Sequence, residues 1–258
     1  MIDLTDICGI PLSLDEETGV LKYDDCVACQ SEEDIGITDI IPVLLNKFLK
    51  YPEQVYKHYV GIQNGGEDFK SSGISYDIIH LPHGLLGIEY SKTHVFSSFE
   101  KNNKYSCMVE VTKGEVTVLI QKNEQVDDPY ANTIVEDVKM IQLFQGEKLA
   151  IPTGVLYTFV NTGSEPAIFV VISADLDHID YSNLVKEKGL AYFIISKNAR
   201  LEIVANPKYR IVEPALRVPW STMESKEKQP YMHNLLEGKV PLYKKLNQYL
   251  NDFVGILV

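Results

Sequence analysis

GEKLAIPTGVLYTFVN, residues 146–161, is the stretch on which the fold turns. Gly146 allows a turn between two strands, Pro152 and Gly154 set a tight turn, and the strand that follows aims the side chain of Tyr157 into whatever the sheets enclose. Outward in both directions the sequence reads as short strands separated by turn residues. They are VYKHYVGI (55–62), ISYDIIHL (74–81), LLGIEYS (85–91), YSCMVEV (105–111), KGEVTVLI (113–120) and KMIQLF (139–144) before the motif. PAIFVVISA (166–174), GLAYFIIS (189–196) and RLEIVANP (200–207) follow it. Many short strands at regular spacing predict an all-β sandwich or closed barrel, and a closed barrel encloses a ligand-sized cavity.

The offsets from Gly146 through Pro152, Gly154 and Tyr157 to Asn161 resemble the second cupin motif, in which the place of Tyr157 normally carries a histidine. The first cupin motif is matched in altered form by Gly87, His94, Phe96, Cys107 and Gly114, with a long insertion between Phe96 and Cys107. The expected architecture is therefore a single cupin (jelly-roll) barrel over 55–213. An N-terminal arm and helix, 1–54, precede it. The apolar positions Ile40, Ile41, Leu44, Leu45, Phe48 and Leu49 predict an amphipathic helix over 38–50. A C-terminal extension, 214–258, carries a helix opened by Pro241 whose face is Leu242, Leu246, Tyr249, Leu250 and Phe253.

Further landmarks occur in the order found in the archaeal-type cupin glucose-6-phosphate isomerases. They are Glu17-Thr18-Gly19, Val55-Tyr56 with Tyr59, Ser91-Lys92-Thr93-His94, Lys113-Gly114, NTGSEP (161–166), Asp180-Tyr181 and Glu187-Lys188-Gly189. The chain is similar to that family over about residues 10–213. The resemblance implies interconversion of glucose 6-phosphate and fructose 6-phosphate at a divalent metal held by three histidines and a glutamate. It also implies a homodimer. The four ligand positions fall on His94, Phe96, Cys107 and Tyr157, so His94 alone keeps a family ligand. Phenylalanine has no lone pair to give, thiolate prefers soft metals, and a phenol ordinarily ionises only near pH 10. The expectation is thus no cofactor, with iron, manganese, zinc or nickel at His94 as the alternative.

The resemblance places Ser91, Lys92 and Thr93 at the substrate phosphate, and Tyr56, His178 and Tyr181 along the sugar pocket, with Tyr157 a further candidate substrate contact. Glu89 and His178 are the candidate proton carriers. Strand parity suggests that His80 and Glu89 both point inward as a relocated acid–base or metal pair, while His83 sits in a solvated turn. Three readings follow: a phosphosugar-binding protein with no or altered turnover, an active isomerase with a rebuilt site, or an assembly scaffold with a filled apolar barrel.

The bulk composition narrows the partners. With 36 acidic against 24 basic residues the net charge is -12, which disfavours nucleic acid and anionic membranes by long-range repulsion. A phosphorylated sugar or similar small anion stays compatible, because a pocket can carry the opposite sign locally. The start MIDLTDICGIPLSLDEETG lacks a basic, apolar leader, and the expected location is the cytoplasm. Four cysteines are too few for a disulfide framework, and Cys26-x-x-Cys29 has no second pair to complete a zinc ribbon.

Overall fold

Two sheets, antiparallel except where Arg210–Ile211 and Leu216–Arg217 run parallel to Ile134–Phe144, face one another across an apolar interior. The computed structural model describes residues 1–15, 18–66, 69–97, 105–123, 133–174, 189–211, 216–217, 235–236 and 238–257. The first sheet has six strands in the order Lys148–Pro152, Tyr105–Lys113, Ala167–Ala174, Ile74–Leu81, Gln54–Val60 and Ser31–Gly36. The second runs Phe96–Ser97, Leu156–Val160, Glu115–Asn123, Ile134–Phe144 and Arg210–Ile211, with Leu216–Arg217 also paired to Ile134–Phe144. Strands adjacent in sequence are largely in different sheets, as a jelly roll requires. Ser31–Gly36 pairs with Gln54–Val60, so the barrel sheet takes up a strand upstream of residue 55.

The motif residues act as the spacing predicts. Gly154 sits at φ +77°, a left-handed conformation that glycine adopts without a Cβ penalty, and it turns the chain into Leu156–Val160. Fully buried Asn161 ties that strand's end to the rest of the barrel. Its amide donates to the carbonyls of Leu81 (3.0 Å) and Glu165 (2.9 Å), and its Oδ1 accepts the Gly163 N–H (3.0 Å).

The barrel interior is filled by Ile79, Leu81, Val109, Val111, Val116, Val118, Phe159, Phe169 and Val171, drawn from both sheets. A second core lies on the outer face of the first sheet. There Tyr59, Tyr76, Ile78, Ile168, Val170 and Ile172 pack against Leu4, Leu12 and Leu21 of the N-terminal hairpin and Leu242, Leu246, Phe253 and Ile256 of the C-terminal helices. Alternate residues of the same strands serve the two cores, which is why these strands read as nearly continuous apolar runs.

Two sequence expectations are corrected. The predicted helix over 38–50 is one α-turn, Ile37–Ile40, followed by a 3-10 turn, Ile41–Val43, after which the chain is not helical. Long-range bonds claim the segment instead: the Leu45 N–H donates to Glu89 Oε2 (2.5 Å) and the Lys92 ammonium to the Val43 carbonyl (2.9 Å), while Lys47 caps the carbonyls of Ile41 (3.1 Å) and Pro42 (2.7 Å) locally. Phe48, which helical spacing assigned to a buried face, is 91% exposed. The C-terminal helix is two, Leu242–Gln248 and Leu250–Leu257, broken at Tyr249, and both pack on the barrel.

The extension is fixed by buried charge as well as by apolar contact. Glu110 and Lys148 pair at 3.1 Å on neighbouring barrel strands, both almost fully buried. Glu110 accepts the N–H of Leu242 (2.6 Å), the first residue of its helix, and Lys148 donates to the carbonyl of Gly238 (2.9 Å). No helix among the described residues is long and apolar enough to cross a membrane.

Candidate functional site

The four positions singled out from the sequence converge inside the barrel. Phe96 and Tyr157 are direct partners in the antiparallel pairing of Phe96–Ser97 with Leu156–Val160, and their rings stack at 5.2 Å with 15° between planes. The ring of His94 lies 4.1 Å from that of Phe96. Phe159 meets Phe96 and Tyr157 edge-on at 5.7 Å from each, and the hydroxyls of Tyr157 and Ser106 are 3.4 Å apart. Cys107, fully buried, takes a hydrogen bond from Tyr157 to its sulfur. Tyr56 closes the group, its hydroxyl sharing a hydrogen bond with His94 Nδ1.

Burial governs the chemistry here. It pushes the Cys107 thiol up to about 12, against the weaker pull of the Tyr157 hydroxyl, so the sulfur stays protonated. Burial, with the neighbouring His58 a smaller cause, pushes His94 down to about 3, so this imidazole is neutral at any ordinary pH. The cluster is thus one neutral histidine, one thiol, two phenols and aromatic carbon. Among the described residues, no three His, Cys, Asp or Glu side chains come together as a group that could hold a metal ion. The family's hard divalent metal, which wants several nitrogen and carboxylate donors, does not fit the donors present.

The remaining sequence candidates are placed elsewhere. Glu89 and Lys92, expected at a proton and at a phosphate, form a buried ion pair at 2.7 Å. The Lys92 ammonium also donates to the Val43 carbonyl (2.9 Å) and lies 5.5 Å from the Phe193 ring centre, so this pair clamps the 43–45 segment onto the barrel. Thr93 is fully buried with its hydroxyl engaged by Thr158 (3.2 Å) and the Phe159 N–H (3.1 Å). Ser91 is buried and its carbonyl accepts the Asn161 N–H at 2.8 Å.

His80 and Glu89 are not brought together as parity suggested. His80 is cross-strand partner to Lys57 on the outer face and packs against Gly19 of the N-terminal hairpin so closely that a side chain there would strike its ring. Burial first, then the cations of Lys57 and Lys113, hold it down at about 4. Glu89 belongs to a two-residue strand in a separate four-stranded sheet, where inward and outward are not those of the barrel. His83 is exposed, as expected. His178 and Tyr181 lie outside the described residues.

One pair escaped the sequence reading. His58 shares a strand face with Tyr56, and Asp77 shares one with Ile79 and Leu81, so both look into the barrel. His58 Nε2 donates to Asp77 Oδ2 at 3.0 Å. Asp77 is itself held by the Gly61 N–H (2.9 Å) and the Ser75 hydroxyl. The signal was present in ISYDIIHL, where an aspartate interrupts an apolar run at an inward position.

A two-sheet barrel with this turn motif and with the motif positions gathered inside defines the molecule as a cupin. The glucose-6-phosphate isomerase (GPI) family profile matches residues 50–210, and the chain belongs to that family. Glucose-6-phosphate isomerase of Thermococcus onnurineus is 27% identical over 204 residues, which cover 78% of this chain and 96% of that one. The Thermococcus kodakarensis protein matches to the same extent, and that of Pyrococcus furiosus is 26% identical over 147 residues, 56% of this chain and 69% of that one. Solved structures similar to this chain include oxalate oxidase in complex with the substrate analogue glycolate (TM-score 0.33, 18% identity, 49% of this chain and 56% of that one). The Cnp3 cupin domain of Schizosaccharomyces pombe is another (TM-score 0.28, 11% identity, 52% of this chain and 72% of that one).

Proposed function

We propose that this chain binds a phosphorylated sugar in its barrel and does not carry out metal-centred isomerisation. The observation that carries the reading is the Phe96–Tyr157 stack, which fills two of the four positions where the family places metal ligands, beside a neutral His94 and a protonated Cys107. An aromatic lining of this kind suits the C–H surface of a sugar better than it suits a hard cation. The scaffold reading loses support, because the interior carries the polar pair of His58 and Asp77 rather than apolar side chains alone.

The test combines elemental analysis of the purified protein, calorimetric titration with glucose 6-phosphate and fructose 6-phosphate, and an isomerase assay with manganese or iron added. Expected are saturable sugar-phosphate binding, no stoichiometric metal, and no metal-stimulated turnover. Stoichiometric metal together with turnover would overturn the reading. A second reading, isomerisation without a metal, is favoured by one observation, the oriented His58–Asp77 pair.

A further inference from the structure

The polar groups inside the barrel differ in what they are free to do. Cys107 holds its proton and His94 refuses one, each through burial. Glu89 is consumed by its ion pair with Lys92. His58 is arranged differently. Because a carboxylate can only accept, the 3.0 Å contact to Asp77 puts a proton on Nε2, so that in the neutral imidazole the lone pair is on Nδ1. Asp77 cannot swing away, since the Gly61 N–H and the Ser75 hydroxyl both donate to its Oδ1.

Nδ1 looks toward Glu33 Oε2, 3.8 Å away and beyond hydrogen-bond length, and Glu33 is half-exposed on the edge strand directly opposite His58. The imidazole is 14% exposed, and the Glu33 carboxylate is the group described on its Nδ1 side. His58 stands two residues from Tyr56 on the same strand face, and the Tyr56 hydroxyl shares a hydrogen bond with His94, which puts the pair in the neighbourhood of the aromatic cluster. A base held by an orienting carboxylate is the arrangement that proton abstraction requires.

We infer that His58, oriented by Asp77, is the proton carrier of this pocket and moves a proton between the carbonyl carbon and its neighbour in a bound sugar phosphate, without a metal. The inference rests on the sugar-phosphate reading and extends it from binding to chemistry. For an open-chain aldose, Nδ1 takes the proton from C2, the C–H electron pair becomes the C1=C2 bond, and the carbonyl π pair moves onto O1. A proton then shifts from O2 to O1. The O2 electron pair re-forms a carbonyl at C2, and the C=C pair recovers the proton from the imidazolium at C1. The ketose results with no oxidant or reductant consumed.

The experiment uses the full chain in deuterium oxide with excess chelator and saturating glucose 6-phosphate or fructose 6-phosphate. Proton NMR follows deuterium entering C1 or C2, and calorimetry measures binding in parallel. Expected is chelator-resistant exchange in the wild type, with a loss of roughly 100-fold in His58→Gln, the scale of one general base. Asp77→Asn, acting through its neighbour, should lower the saturated rate with little change in the half-saturating concentration. Each variant's fold is checked by circular dichroism; if His58→Gln does not fold, Asp77→Asn carries the test. Binding without exchange in the wild type, exchange abolished by chelator, or exchange untouched in the folded variants would overturn this inference and leave the binding reading standing. Absence of binding would overturn both.

Discussion

Replacing Lys92 by methionine should destabilise the protein by about 3–5 kcal/mol, the cost of stranding one member of a buried ion pair. The figure follows from the surroundings of Glu89. Its side chain is 2% exposed, and once the ammonium 2.7 Å away is removed, the Leu45 N–H is the one hydrogen bond described for its carboxylate. The Val43 carbonyl loses its lysine donor in the same substitution. Removing both charges, as in Glu89→Leu with Lys92→Met, should cost less, about 1–3 kcal/mol, because the remaining penalty is chiefly an unsatisfied Leu45 N–H. Urea denaturation followed by circular dichroism measures each member of this double-mutant cycle. For a chain of this size the single substitution corresponds to roughly 6–20 °C in melting temperature, taking about 2–4 °C per kcal/mol. A Lys92→Met protein within about 1 kcal/mol of wild type that has nonetheless lost sugar-phosphate binding would refute the reasoning, because it would return Lys92 to the phosphate.

Three further outcomes follow from the same structure. In the native protein, Cys26 is exposed and should react with a thiol reagent at pH 8, whereas Cys8 and Cys107, both pushed up to about 12 by burial, should label only on unfolding; mass spectrometry of the labelled protein decides it. Stability should fall as pH drops below about 6.5. There the unfolded chain protonates histidines that the folded chain keeps neutral down to about 4 at His80 and about 3 at His94. Each contributes about 1.4 kcal/mol per pH unit within its window, so His80→Gln should flatten the acid limb of a urea-midpoint profile, and an unchanged slope would contradict the burial argument. Finally, restoring the family's donors with Phe96→His, Cys107→Glu and Tyr157→His should create a site that retains manganese or iron through gel filtration; a folded triple variant without bound metal would mean that the positions do not converge as described.

What the sequence disclosed and what it withheld have a common physical origin. Turn chemistry is local, so Gly146, Pro152, Gly154 and Asn161 announced the barrel and aimed Tyr157 into it, whereas its place opposite Phe96 came only with the strand register. Facing depends on which sheet a strand joins, and that is not local. Parity sent His80 inward, whereas its strand presents alternate residues to two different cores and His80 falls to the outer one. The apolar spacing of residues 38–50 satisfied a helical template, yet the backbone there is held by Glu89 and Lys92, partners that no window of that length contains. His58 went unremarked because a histidine in a strand is chemically mute until the carboxylate 19 positions later is seen beside it.

The hold of Glu110 and Lys148 on the segment around Gly238 and Leu242 bears on where this molecule can be cut. The family match ends at residue 210, and a truncation there would look conservative in an alignment. It would instead unroof a carboxylate midway along Tyr105–Lys113 and an ammonium at the start of the neighbouring edge strand, and strip the hydrocarbon that Phe253, Ile256 and Leu257 add to that face of the sheet. The tail has become a wall of the building, and the smallest unit of this chain able to stand alone reaches well past the boundary that ancestry would draw.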